Sequence, residues 1–273
     1  MHEPLKQPLA QYRSTALGYG ESLVFDSLDL TMRAGRITAF CGPNGCGKST
    51  SLKALRRLLR PSAGDIFLNG ESVSLLSNKQ LARQMAMLTQ APSAPEELLV
   101  QQLVTLGRYA HRRRFAGLTD EDRRAIAFAM SSCALEALAD KPLGTLSGGQ
   151  MQRAWLATIL AQDAPVILLD EPTNHLDIKH QIETLELVKT LNREQGRSVV
   201  LILHDLNLAA RYADDMVLFA RGAVHAQGAA EDVMTEATIA AVFGIDCRVI
   251  RDPLLGKPMC IPYPVPSARH ESN

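Results

Sequence analysis

Residues 42–50 read Gly42-Pro43-Asn44-Gly45-Cys46-Gly47-Lys48-Ser49-Thr50. The spacing Gly-x-x-x-x-Gly-Lys-Ser is that of a loop whose backbone N–H groups turn inward onto phosphate oxygens. Glycine is needed where the chain must turn toward the ligand without a Cβ in the way. Lys48 supplies a point charge to the β- and γ-phosphates, and the Ser49 hydroxyl is a ligand for Mg²⁺. A helix starting near Gly47 adds the positive end of its dipole. The chemistry indicated is the gripping of a nucleoside triphosphate.

Two carboxylates follow an apolar run in Val166-Ile167-Leu168-Leu169-Asp170-Glu171-Pro172. A buried parallel strand ending in Asp brings charge to the edge of a sheet where ligands bind. Asp170 would hold Mg²⁺ through water, and Glu171 is placed to orient and polarise an attacking water. Taken alone, a strand-end Asp is more often a cap or turn residue. Downstream of a phosphate loop the catalytic reading is the stronger one.

A second glycine-rich run, Leu146-Ser147-Gly148-Gly149-Gln150, offers a hydroxyl and bare backbone N–H groups at the start of a long helix. Such a start is an anion site. Within one chain it is redundant. Across a two-fold axis it would clamp the γ-phosphate held by another copy. An N-cap with glycine flexibility is the plainer alternative.

The bulk properties narrow the class. The chain has 273 residues, 46% hydrophobic and 21% charged, with zero formal net charge. That is enough chain for a sizeable core, and no strong field exists to steer a polyanion. Nucleic acid is therefore not expected as the main partner. The apolar runs are too short to cross a bilayer. The start, Met1-His2-Glu3-Pro4-Leu5, lacks the order of a secretion signal. Five scattered cysteines fit reduced thiols, and Cys41 and Cys46 lack the CxxC spacing of a redox or metal site.

Apolar segments at Ser22–Phe25, Leu28–Leu30 and Arg36–Phe40 read as strands. After Lys48 the pattern turns helical, with Leu52, Leu55, Leu58 and Leu59 on one face and Arg60-Pro61 as the stop. Ile66–Leu68, with the Asn69-Gly70 turn, and Met85–Leu88 are further strands. From about 91 to 162 the patterns are helical. Leu99, Leu103 and Leu106 mark one helix, and Ile126, Met130, Cys133 and Ala137 another, opened by Asp120 and Glu121. Strand character returns at Val166–Leu169, Ser198–Leu203 and Met216–Ala220, with helices between, which implies a parallel sheet. From Gly244 the tail is proline-rich and reads as either a small hairpin or a frayed end.

With these motifs in hand, the chain resembles the ATP-binding subunits of ABC transporters, from Leu17 to about Pro262. The resemblance implies an α/β fold: a P-loop NTPase (RecA-like) core, an N-terminal antiparallel β subdomain and an inserted α-helical subdomain. The expected ATPase domain is 1–245, with its core at about 1–90 and 163–245 and the helical part at about 91–162; 246–273 is a short extension. It also implies roles. Tyr19 looks like the aromatic that stacks on adenine, with a packed edge aromatic as its alternative. Gln90 looks like the glutamine that senses Mg²⁺ and the attacking water, Asp177 like the acid that meets the partner's phosphate loop, and His204 like the switch histidine at the γ-phosphate. The cofactors implied are ATP and Mg²⁺.

Finer features resemble the ATPases of type II importers, most closely the iron(III)-siderophore and ferric dicitrate group. They are Gly42–Lys48, Arg57–Pro61, Leu81-Ala82-Arg83, Gly107-Arg108-Tyr109, Leu176–Gln181, His204–Tyr212 and Asp252–Pro258. Ala110, His175 and Met151 depart from that group's usual residues. The resemblance implies a homodimer, two polytopic permease subunits, an indirectly coupled substrate-binding protein, and a place on the cytoplasmic face of the inner membrane. A haem or cobalamin importer ATPase is the near alternative, and a soluble ABC ATPase acting on nucleic acid or ribosomes the distant one. The basic run His111–Arg114 reads as a solvated loop, or as a contact to the membrane subunit or acidic lipid.

Overall fold

The computed structural model describes residues 8–112, 117–174 and 176–263. The chain opens with two long antiparallel strands, β1 (Pro8–Tyr19) and β2 (Ser22–Arg33). The fully buried β3 (Ile37–Cys41) leads into the phosphate loop and α1 (Lys48–Leu55). The pair β4 (Ala63–Leu68) and β5 (Glu71–Ser72) follows, joined by Asn69 at φ 51° and Gly70 at φ 85°. Two positive φ values are what a type I′ hairpin turn requires. Next come α2 (Asn78–Gln84) and β6 (Met85–Leu88).

From Val100 to Ala161 the described elements are helical: α3 (Val100–Leu106), α4 (Asp120–Ser132) and α5 (Gly148–Ala161), with short 3₁₀ turns between. The sheet then resumes with β7 (Val166–Leu169), α6 (Ile178–Gln195), β8 (Ser198–Ile202), α7 (Leu206–Tyr212), β9 (Asp215–Ala220) and β10 (Ala223–Gly228). The end holds α8 (Ala230–Val233), α9 (Glu236–Phe243) and the hairpin β11 (Asp246–Arg251) with β12 (Pro258–Tyr263). Of the two readings of the tail, the hairpin is the one that forms.

Two main sheets result. The antiparallel one runs β2-β1-β4-β5; the larger runs β10-β9-β3-β8-β7-β6, parallel except for β10. Alternation along the parallel strands divides their side chains between two cores. Phe40, Leu168, Val200 and Ile202 face the core shared with the antiparallel sheet, and Ala39, Ile167, Leu169, Val199 and Leu201 face the helices. Strands buried on both faces read as near-continuous apolar runs, and these do, with Thr38, Ser198 and Asp215 as buried polar exceptions.

Three helical readings need correction. The helix after Lys48 does not reach Arg60-Pro61 but ends at Leu55. Arg57 turns left-handed at φ 60°, and its guanidinium donates to the Val73 carbonyl at 3.0 Å. Leu58 consequently points to solvent, 61% exposed, while Leu59 packs on the core. In α3, Leu103 is buried but Leu106 is 56% exposed. Ala137 lies past α4, in a 3₁₀ turn. The helices are pinned instead by Arg108, which is 1% exposed. Its Nε donates to Asp122 at 2.7 Å and its Nη1 to the Ala161 carbonyl at 3.0 Å. Burial alone would raise the Asp122 carboxyl. The bonds from Arg108 and Thr119 outweigh it and hold the group down at about 2. Gly107 is required here, since a Cβ would lie 2.3 Å from the Thr158 carbonyl oxygen.

Candidate functional site

The site is built at the C-terminal ends of adjacent parallel strands, the edge where α/β sheets bind ligands. From β3 the chain runs through Gly42 (φ 144°), Pro43, Asn44, Gly45 (φ 77°), Cys46 and Gly47 (φ 106°) into α1. Gly47 is locked as glycine: a Cβ there would meet the Phe25 ring at 2.3 Å. No side chain caps α1, so its first N–H groups are left for an anion. Lys48 is buried and folds back over the loop, donating to the carbonyls of Gly42 (2.8 Å) and Pro43 (2.9 Å). Thr50 is also buried. The flanking cysteines are structural: both are buried, and burial pushes the Cys41 thiol up to about 12.

Asp170 directly follows β7 and is 2% exposed. The Ser49 hydroxyl donates to its Oδ1 at 2.8 Å. Burial raises the Asp170 carboxyl, and the Ser49 bond opposes that. A hydroxyl and a buried carboxylate are hard oxygen donors, and a nearby cation would relieve the burial penalty. The donor set therefore fits Mg²⁺ held jointly with phosphate. No cluster of three or more His, Cys, Asp or Glu able to cage a metal occurs among the described residues.

Glu171 stands at φ 56°, and three donors converge on its carboxylate. Gln90 Nε2, just beyond β6, donates to Oε2 at 2.6 Å. His204 Nε2, just beyond β8, is 2.8 Å from Oε1. Asn174 Nδ2 also donates to Oε2. The first two come from residues singled out in the sequence. Asn174 was missed, although it lies only three positions from Glu171 in a turn.

The other candidates stand apart. Ser147 caps α5 in a reciprocal capping box with Gln150. Gly148 is exposed, and Gly149 faces the His180 ring. Among the described residues no hydrogen bond joins Ser147, Gly148 or Gly149 to the phosphate loop. Asp177 caps α6 and pairs with His180 Nδ1 at 2.8 Å. Tyr19 is half exposed at the end of β1. Arg113, Arg114 and His175 lie outside the described residues.

A glycine loop between a buried parallel strand and a helix, with paired carboxylates at a nearby strand end, defines a P-loop nucleotide-binding protein. Residues 25–174 match the family described as ABC transporter. The achromobactin transport ATP-binding protein CbrD of Dickeya dadantii is 45% identical over 92% of this chain and 93% of its own length. The ferric enterobactin transport ATP-binding protein FepC of Escherichia coli is 44% identical over 90% and 91%. A solved dimeric ATP-binding cassette, in a post-hydrolysis state with ADP and Pi, superposes with a TM-score of 0.71 at 27% identity. That match covers 81% of this chain and 98% of the other. This chain belongs to the ABC transporter family.

Proposed function

We propose that this chain is an ATPase subunit that powers uptake of a ferric siderophore or similar iron chelate through separate membrane-spanning subunits. The observation that carries the catalytic reading is the convergence of Gln90 and His204 on Glu171, beside the Lys48 loop. The cargo reading is supported by relatives named for achromobactin and ferric enterobactin transport.

In this reading ATP displaces the internal contacts. The loop N–H groups and Lys48 move onto the phosphates. Ser49 and Asp170 would hold Mg²⁺, which would supply neutralising charge there. Gln90 and His204 turn from Glu171 toward the nucleotide. Glu171 orients a water and draws off its proton as that water attacks the γ-phosphorus; the bond to the bridging oxygen breaks and ADP leaves. Positioning and electrostatics do most of the work. The neighbouring copy contributes its Ser147–Gly149 run to the terminal phosphate and its Asp177 to the loop, and Tyr19 stacks on adenine. ATP is then shared between two copies, so binding stabilises the dimer by mass action.

No described helix is long and apolar enough to cross a membrane. Transport therefore calls for permease partners, with this subunit docked on their cytoplasmic face and a substrate-binding protein delivering cargo. The helices between β6 and β7, joined to the site at Gln90, are the lever. Uptake of labelled ferric chelates in a deletion strain tests the cargo, with haem and cobalamin as competing outcomes. Co-purification with nucleic acid and no membrane protein would overturn the transport reading.

A further inference from the structure

The backbone around Glu171 is built to bring one particular side chain to its carboxylate. Glu171 is a non-glycine residue in the left-handed region, a strained conformation that persists only where the surroundings enforce it. Buried Pro172 and Thr173 follow. The Asn174 backbone N–H then donates to the Glu171 carbonyl at 3.2 Å, closing a turn. That turn returns the Asn174 amide to Glu171 Oε2.

The three donors differ in how they are tethered. Gln90 reaches Glu171 from 81 positions away, off the end of β6. His204 comes from the loop after β8. Either can depart when its own loop moves. Asn174 belongs to the same turn as Glu171 and moves with it.

We propose that Asn174 is a positioning residue for ATP hydrolysis, holding Glu171 Oε2 in place while Gln90 and His204 leave the carboxylate for the nucleotide. This rests on the reading of Glu171 as the group that polarises the attacking water. An ionised carboxylate only accepts, with about four lone-pair sites. One site held by Asn174 leaves the rest of the carboxylate for water. A neutral amide orients the anion without cancelling the charge that draws the proton. The demand on aim is real, since a displacement of about 1 Å can cost on the order of a hundredfold in rate.

The test is ATP hydrolysis by the purified full chain carrying Asn174→Ala or Asn174→Ser, alone and with Glu171→Gln. Asn174→Ala is expected to lower kcat roughly tenfold, the worth of a hydrogen bond to a charged group. KM for ATP and the melting temperature should not change. Asn174→Ser keeps a donor and should recover part of kcat. In the Glu171→Gln background Asn174→Ala should add no further loss, because the two act as one unit. Unchanged kcat in Asn174→Ala overturns the proposal. So does a loss of equal size in the Glu171→Gln background, or a loss that tracks melting temperature and is not relieved by Ser. Full kcat in Glu171→Gln alone removes the reading of Glu171 and this proposal with it. A large loss there beside an inert Asn174→Ala removes only this proposal.

Discussion

His204 Nε2 meets Glu171 Oε1 at 2.8 Å across the ends of β8 and β7, two neighbouring parallel strands. The histidine spans the gap between strands, so its position reports where the two strand ends sit. Gln90 does the same from β6, on the other side of β7. The carboxylate is thus held from both flanks.

Glu171→Gln should keep ATP binding and slow turnover by roughly a hundredfold or more, since the base is lost while the shape is kept. Nucleotide binding and steady-state hydrolysis measured side by side check this. An ATP-dependent dimer should accumulate in sizing experiments. Turnover at the starting rate would take Glu171 out of the mechanism.

Lys48→Ala should weaken ATP binding by about tenfold or more, as expected for losing a charge-assisted contact to phosphate. Lys48 donates to the Gly42 and Pro43 carbonyls and to Cys46 Sγ at 3.8 Å, all within the loop itself, so its removal should cost affinity rather than fold. Calorimetric titration reads the affinity. Unchanged binding would mean that the loop backbone alone is the grip.

Arg108→Ala should destabilise the chain by about 3 kcal/mol, because it leaves the buried Asp122 carboxylate without its partner. Chemical denaturation measures this. Arg108 touches none of the proposed catalytic groups, so hydrolysis at low temperature should survive.

The same pair sets an acid limit. The Asp122 carboxyl is held at about 2 in the folded chain, below its unfolded value of about 3.9. Its contribution is therefore fully present well above pH 4 and is lost as pH falls from there through about 2. Stability measured against pH should fall less steeply through that window in Asp122→Asn than in the parent. Parallel curves would refute the assignment.

Gly107→Ala should destabilise by roughly 1–3 kcal/mol, the usual cost of overpacking, because the added methyl would press on the Thr158 carbonyl. A melting curve decides it. A neutral result would mean that α3 and α5 separate at little cost.

Much of the site could be read from residue order alone, because its parts are short and sit where strands stop. The phosphate loop, Asp170, Glu171, Gln90 and His204 each follow an apolar run. Their meeting follows from strand order, which periodicity cannot supply. Asn174 escaped notice because its relation to Glu171 depends on one left-handed residue and one turn. β1 gives no strand signal for a similar reason: Ser14 at φ 43° and repeated register shifts against β2 break the period-two pattern. In α2 only Leu81 is buried, so no apolar stripe exists, although the Ser77–Gln80 capping box was there to find. Leucines at helical spacing continue past the point where Arg57 breaks the helix, so the sequence pattern overruns the end of α1.

One last contact bears on practice. Asn207, at the head of the helix after His204, is hydrogen-bonded both ways to the backbone of Cys260 in β12, 53 positions on. The far end of the chain is thereby stitched to the stretch that presents His204. An affinity tag or fluorescent fusion placed after β12 would pull on that stitch, so rates measured with such a fusion need a tag-free comparison.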